Sequence, residues 1–265
     1  MHEIIEKKKL NRENYFFKIN ARLIAKKARP GQFVILRIKE EGERIPLTIA
    51  DYGKDFISVV FQVVGGTSSQ LSKLVRGDKI RDLMGPLGKP TDIENFGTVV
   101  IIGGGLGIAP CFPIARAMKN KGNKVVSILG ARTKELFFWK DRFEKFSNEV
   151  IYCTDDGSFG IKGFVTDALK NLMKKEKIDR IIAIGPPVMM KFVTRTAKDI
   201  PVIVSLNPIM VDGMGMCGGC RVNVAGRVKF ACVDGPEFVG QDVDWDSFIN
   251  RNESYKEEEH ACRIE

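Results

Sequence analysis

Between residues 98 and 206 the chain alternates apolar, β-rich runs with helical stretches, and that alternation leaves few folds open. The runs fall at 98–102, 124–129, 149–153, 180–184 and 202–206, with helical patterns over 109–120, 135–146, 162–174 and 188–198 between them. Near-continuous apolar strands joined by helices imply a parallel sheet covered on both faces, a doubly wound α/β architecture. Sheets of this kind bind ligands outside the carboxyl ends of their strands.

The segments at those ends carry suitable residues. Gly103-Gly104-Gly105-Leu106-Gly107-Ile108-Ala109-Pro110 follows the first run and opens a helix. Glycines in a strand–turn–helix context let a diphosphate approach the backbone and the helix N-terminus. Gly104, Gly105, Gly107, Ile108, Ala109 and Pro110 are therefore candidate nucleotide contacts, although Ile108 stands where a G-x-G-x-x-G fingerprint has its last glycine. No acidic residue closes the second run; Gly130-Ala131-Arg132-Thr133 does, so Arg132 is a candidate and the choice between NAD and NADP stays open. Asp155 follows the third run and Gly185-Pro186 the fourth. Both are candidates, and Asp155-Asp156-Gly157 is equally good turn chemistry.

Residues 1–97 read differently. Short alternating runs at 14–22, 32–39, 44–50, 56–64 and 79–82 are punctuated by Pro30-Gly31, 51–54, Gly65-Gly66 and 85–88. This is the pattern of a small antiparallel β-barrel, with one helical stretch at 69–76.

After residue 207 the alternation stops, and Asp212-Gly-Met-Gly-Met-Cys217-Gly-Gly-Cys220 appears, with Cys232 beyond it. The spacing is that of a plant-type [2Fe–2S] loop whose first cysteine is an aspartate. Asp212, Cys217, Cys220 and Cys232 are the candidate metal ligands. Zinc also accepts Cys and Asp, but the single C-x2-C knuckle and the glycine-rich wrap favour a cluster. Short strands are expected at 221–224 and 227–230, and the charged tail 250–265 is expected to be frayed or partner-bound.

Of the 265 residues, six are cysteine, and three of these lie in the loop, which argues for metal over disulfides. Cys111, Cys153 and Cys262 are isolated. Cys111 sits in the first turn of a helix, a place that can lower a thiol pKa, yet packing is the expected role of both Cys111 and Cys153. The net charge of +9 is spread among acidic neighbours, as in Lys140-Asp141-Arg142, so it describes a solvated surface and not a nucleic-acid site. No apolar stretch is long enough to span a bilayer, and no secretory h-region opens the chain; a cytoplasmic protein is expected. The two histidines, His2 and His260, offer no general-base chemistry.

Taken together, barrel, glycine run, Gly-Ala-Arg and Gly-Pro resemble the ferredoxin–NADP reductase superfamily, whose barrel binds FAD and whose α/β domain binds a nicotinamide nucleotide. Pro30-Gly31-Gln32-Phe33-Val34 is similar to the segment that opens that barrel. Arg44-Ile45-Pro46-Leu47-Thr48 resembles the motif whose hydroxyl faces the flavin ring, with Arg44 one residue earlier than usual. Phe61-Gln62-Val63 and Gly66-Thr67-Ser68 resemble the segment holding the ribityl and diphosphate part. With the cysteine loop added, the chain resembles the electron-transfer subunits of dihydroorotate dehydrogenase B. With Asp212 in the first position, it resembles the small subunits of electron-bifurcating NADH-dependent ferredoxin:NADP⁺ oxidoreductases.

That resemblance implies a domain at 1–97 for FAD, one at 98–207 for NAD(H), and a [2Fe–2S] module with its tail at 208–265. It implies hydride exchange between NAD(H) and FAD, with Thr48 near the flavin and no side-chain acid or base. It further implies one-electron transfer through the cluster to a larger flavin and [4Fe–4S] subunit in a heterodimer, and ferredoxin indirectly. A dihydroorotate dehydrogenase B subunit and a zinc-stabilised nucleotide sensor are the alternatives.

Overall fold

The computed structural model describes residues 1–254. The tail beyond them, with Cys262, lies outside the described residues. The first unit contains β1 (His2–Lys9), β2 (Asn14–Asn20), α1 (Arg22–Ala25), β3 (Phe33–Arg37), β4 (Arg44–Tyr52), β5 (Phe56–Gln62), α2 (Gly66–Lys73), β6 (Lys79–Ile80) and β7 (Asp82–Leu87). The strands form one antiparallel sheet in the order β6-β1-β2-β5-β4-β3-β7. Its two edge strands are consecutive in the chain, with only Arg81 between them, so the sheet meets its own edge by curling into a nearly closed barrel. Phe17, Ile19, Val34, Leu36, Val59 and Phe61 fill the interior.

Several elements here depart from the sequence reading. β1 was hidden by its charges: only Ile4 is fully buried, and the lysines stay at the surface. Gly85–Leu87 is not a turn but the end of β7, next to a register shift in β3 where an irregular edge tolerates proline. The helix expected at 69–76 starts earlier, because the Ser68 hydroxyl accepts the N–H groups of Val64 and Gly65 at 2.9 and 3.0 Å and fixes its first turn.

The second unit follows with β8 (Thr98–Gly104), α3 (Ile108–Asn120), β9 (Lys124–Ala131), α4 (Lys140–Phe146), β10 (Glu149–Thr154), β11 (Ile161–Lys162), α5 (Val165–Met173), β12 (Arg180–Ile184), α6 (Pro187–Thr196) and β13 (Val202–Ser205). A hairpin of β14 (Arg221–Val224) and β15 (Arg227–Phe230) comes next. β16 (Glu237–Val239) then adds itself antiparallel to β13, and α7 (Trp245–Asn252) closes the described chain. The sheet order is β11-β10-β9-β8-β12-β13-β16, doubly wound about β8. Alternate residues of β8 serve opposite layers. Val100 and Ile102 pack with α5, α6 and α7, and Val99 and Ile101 pack with α3 and the barrel.

The helix expected over 135–146 is broken at Phe137–Trp139. Trp139 is left-handed (φ 59°) and wedges between Phe16 of the barrel and Phe112 of α3, with ring centroids 6.0 and 5.7 Å away. Tertiary packing overrides helix propensity there. α5 begins at Val165 and not at Lys162, because Lys162 pairs with β10 and Asp167 caps the Phe164 N–H. α7 reaches into the expected frayed tail, anchored by buried Trp245 and Phe248.

Barrel and sheet share one core: Phe16, Ala50 and Val60 of the barrel are buried against α3 and β8. Beside them Asp51 accepts from Arg116 Nη1 at 2.8 Å and from Arg142. A second tie is the strap just before and within β16. The Lys89 N–H donates to the Gly235 carbonyl (2.6 Å), and the Leu206 N–H to the Pro236 carbonyl (2.9 Å). The Glu237 carboxyl, enclosed against Gly31, accepts from the Thr91 hydroxyl at 2.7 Å.

Burial pushes the Glu237 pKa up to about 7, against the opposing pull of Thr91 and Arg180. A carboxyl with this shift binds more protons folded than unfolded, so stability falls as pH rises from 4.5 towards 7. Glu237→Gln is expected to unfold in urea like the parent near pH 4, and to be more stable by roughly 1–3 kcal/mol near pH 8. Equal pH profiles for the two proteins would rule this out.

Candidate functional site

A cleft of about 1220 Å³ runs between barrel and sheet. This exceeds the roughly 300–1,000 Å³ that encloses one drug-sized ligand, so there is room for two. The barrel side presents Pro46, Leu47, Thr48, Gln62 and Val63; the sheet side presents Gly104, Gly105, Gly107, Ala109, Pro110, Arg132, Asp155, Gly185 and Pro186. Strand alternation explains the split on β5: Val60 and Gln62 face the cleft, and Phe61 turns into the barrel core against Phe17 and Tyr15. The Phe61 side chain is thus a packing group and not a cleft wall. Ile108 is likewise fully buried beneath the turn. Arg44 is exposed at the start of β4, Thr67 donates to Glu43, and Ser68 caps α2; with Gly66 they stand apart from the cleft wall.

Each glycine of the sheet-side turn has its own reason. Gly105 is left-handed (φ +56°) with open space where a Cβ would point, so its backbone is bared to the cleft. A Cβ on Gly107 would run into the Ile184 carbonyl, and one on Gly185 would lie 3.1 Å from Gly104 Cα. The ends of β8 and β12 therefore close tightly at the point where strand order reverses, which is where such sheets place a dinucleotide. Gly105 bares its backbone to the cleft, and the helix behind it adds a partial positive charge, an arrangement suited to an anionic ligand.

Sequence reasoning missed Glu13. It lines the cleft from the β1–β2 turn and accepts from Gln62 Nε2 and Arg132 Nη2, both at 2.7 Å. It joins one expected flavin-side residue to one expected nucleotide-side residue, and no local pattern marks it. It also missed Phe33, Met210 and the edge after β13 (Ser205, Leu206, Asn207). That last wall was readable from the rule that ligands sit at strand carboxyl ends.

The cysteine loop lies across the outer face of β3. Pairing of Arg221 with Phe230 in the hairpin sets Cys220 beside Ala231 and Cys232, and the two buried sulfurs stand 3.1 Å apart without a disulfide. Burial, with Cys220 next to it, pushes the Cys232 thiol up to about 12, so ligation there must release a proton. Cys217 and Asp212 lie on the exposed turn above. Asp212 accepts the N–H groups of Met214 (3.0 Å), Met216 (2.8 Å) and Cys217 (2.8 Å). Those bonds, led by that from Met214, hold its carboxyl below the usual carboxylate range. Gly213 is left-handed (φ +73°), and a Cβ there would lie 2.7 Å from Ile35 Cγ1, so the loop sits directly on β3.

Among the described residues no group of three or more His, Cys, Asp and Glu side chains is gathered as a metal cage. The four candidate ligands stand as two pairs, Cys220 with Cys232 and Asp212 with Cys217. A [2Fe–2S] cluster takes two protein ligands on each of two irons, whereas tetrahedral zinc needs all four around one centre. The donor set and its pairing fit the cluster. Cys111 and Cys153 do not join it. Burial pushes the Cys111 thiol far up, the reverse of the lowering a helix start can cause, and Cys153 is raised to about 11.

Comparison with known proteins agrees with this geometry. Residues 207–244 match the iron–sulfur cluster binding domain of dihydroorotate dehydrogenase B, and residues 101–195 match an oxidoreductase NAD-binding domain. An electron transfer subunit homolog of dihydroorotate dehydrogenase B (NAD⁺) from Thermotoga maritima is 50% identical over 263 residues, covering 98% of this chain and 93% of that protein. The chain belongs to this electron-transfer subunit family. A probable member from Methanocaldococcus jannaschii is 39% identical over 89% of the chain and 88% of its own length. Among solved structures, one of an NADH-dependent reduced ferredoxin-NADP oxidoreductase, concerned with flavin-based electron bifurcation, matches 100% of this chain and 97% of its own. There the TM-score is 0.94 and the identity 48%.

As a member of the family, the chain is an NAD(H)-dependent oxidoreductase subunit with the ferredoxin reductase-like fold, using FAD, NAD(H) and a [2Fe–2S] cluster. Among the described residues no helix is long and apolar enough to cross a membrane.

Gly107→Ala is expected to force β12 away from the turn. It should cost about 1–3 kcal/mol in urea unfolding, as overpacking does, and weaken NADH binding measured by fluorescence titration. Unchanged affinity would show that this turn does not hold the nucleotide.

Proposed function

We propose that this chain is the small subunit of an electron-bifurcating NADH-dependent ferredoxin:NADP⁺ oxidoreductase, and that it serves the NAD(H) branch. The observation that carries the reading is Asp212. A carboxylate holds the first position of the cluster loop, kept ionised by three backbone N–H groups and paired with Cys217. The full-length similarity to the bifurcating enzyme's chain supports it. In this reading residues 1–97, 98–207 and 208–265 are the FAD, NAD(H) and cluster domains.

The roles of the chain's residues follow. Thr48, Pro46 and Leu47 border the flavin ring, and Gln62 and Val63 lead along the ribityl chain towards Gly66, Thr67 and Ser68 at the start of α2. Arg44 stays at the outer end of that side. Gly105 and Gly107 hold the nucleotide diphosphate, Arg132 and Asp155 flank its ribose side, and Gly185 and Pro186 border the nicotinamide. Asp212, Cys217, Cys220 and Cys232 hold the cluster. When bound, the flavin takes a two-electron hydride and the cluster carries single electrons, so no side-chain acid or base is called for.

A larger flavin and [4Fe–4S] subunit is the partner, and ferredoxin meets the complex through that subunit. Exposed apolar groups around the loop (Val211, Met214, Met216 and Val233) suit a protein contact beside the cluster. The names borne by the Thermotoga and Methanocaldococcus relatives favour a second reading, the electron-transfer subunit of dihydroorotate dehydrogenase B.

Two measurements test these readings. Asp212→Cys is expected to change the electron paramagnetic resonance spectrum of the reduced cluster, because one oxygen ligand becomes sulfur; an unaltered spectrum would remove Asp212 from the ligand set. In the complex isolated through this chain, NADPH is expected to reduce ferredoxin only when NAD⁺ is present. Dihydroorotate-dependent NAD⁺ reduction instead would establish the second reading.

A further inference from the structure

Two side chains belong to both sites at once. Phe33 and Met210 are buried, at 4% and 7% exposure, and both line the large cleft. Both also belong to the small apolar cluster that contains Ile35, Cys220, Ala231 and Cys232. They are the only buried members of that cluster that reach the cleft wall among the described residues.

Their placement follows from the backbone. On β3, Val34 and Leu36 point into the barrel, and Phe33 and Ile35 point outward beneath the cysteine loop. Phe33 pairs across the strand with Thr48 of the cleft wall. Its ring is fixed from behind: a Cβ on Gly88 would lie 2.9 Å from it and 2.8 Å from Pro236. Met210 arrives from the other direction, two residues before Asp212, and an unbranched thioether can fill the irregular gap that remains.

We propose that Phe33 and Met210 form a dry, packed partition shared by the flavin cleft and the cluster loop, and that as positioning residues they set the coupling between the two. The proposal rests on the reading above, in which FAD borders Thr48 and the cluster is held by Asp212, Cys217, Cys220 and Cys232. No bond or proton changes at either residue; one electron lost on the cleft side is one gained on the loop side. A close-packed partition excludes water and fixes the separation, whereas a void would leave the facing groups without contact partners.

The test uses the full chain carrying both cofactors, with ¹³C-labelled methionine methyls. The Met210 methyl resonance is expected to shift when FAD is removed and to broaden when the cluster is reduced to its paramagnetic state. Met216, 83% exposed at the loop tip, should not respond to FAD. In stopped flow, with the NADH-to-flavin step timed separately for each variant, Met210→Ala and Phe33→Ala are expected to pass electrons from reduced flavin to the cluster about tenfold more slowly through a loosened partition. Met210→Leu restores the rate by refilling the volume. Val34→Ala, on the opposite face of the same strand, transfers like the parent.

A Met210 methyl that responds to only one cofactor overturns the proposal, and so do alanine variants that transfer at the parent rate. Should Phe33→Ala lose a cofactor, the methyl spectrum and the Met210 variants decide. A parent chain lacking flavin or iron would sink the underlying reading, which is a different result from two loaded but independent sites.

Discussion

Strand β3 is buried on both faces, and the rest of the molecule is arranged around that constraint. Its inward residues, Val34 and Leu36, close the barrel, and its outward residues, Phe33 and Ile35, carry the cysteine loop. An outer barrel face would ordinarily be wet and polar. Here each large apolar side chain on it returns about 1.5–3 kcal/mol only if something covers it. The loop is that cover, and Gly213 lets its backbone lie against Ile35. The same contact that hides an apolar strand brings Cys220 and Cys232 into one apolar cluster with Phe33 and Met210, which also line the large cleft.

Carboxylates hold the assembly in three distinct ways. Asp51 is shared by Arg116 and Arg142 at the barrel–sheet seam, where opposite charges are enclosed together. Glu237 is enclosed, which raises its pKa to about 7, and it ties β16 to Thr91 as a hydrogen-bond acceptor. Asp212 is half-buried and collects three backbone N–H groups, which keeps it anionic and folds the turn around it. One side-chain chemistry gives an ion-pair hub, an enclosed strap and an anionic turn, and the difference lies in what surrounds each.

The sheet was legible because its signals are local: five apolar runs and the glycine turn all fall where the alternation puts them, and β8, β9, β10, β12 and β13 follow. The cluster-binding segment was legible for the same reason, since cysteine spacing is a property of one stretch of chain. What stayed hidden depends on partners far along the chain. β1 reads as a charged stretch with no strand pattern until β2 and β6 flank it. Phe137–Trp139 reads as helix until Phe16 and Phe112 claim the tryptophan. Phe61 reads as a flavin contact by analogy, yet the period of β5 turns it inward. Glu13 carries no motif, and its importance exists only once Gln62 and Arg132 converge on it from two different units.

The aspartate in the loop is best understood through that division between local and distant causes. By spacing alone, Asp212 is a cysteine replaced. In the fold it is also the acceptor that organises Met214, Met216 and Cys217, work a thiolate would do less well because sulfur is a weaker hydrogen-bond acceptor. The hairpin, through the pairing of Arg221 with Phe230, brings Cys220 and Cys232 together. One half of the ligand set is thus built by the hairpin and the other by a carboxylate-centred turn. Two separately built pairs match a centre with two metal atoms.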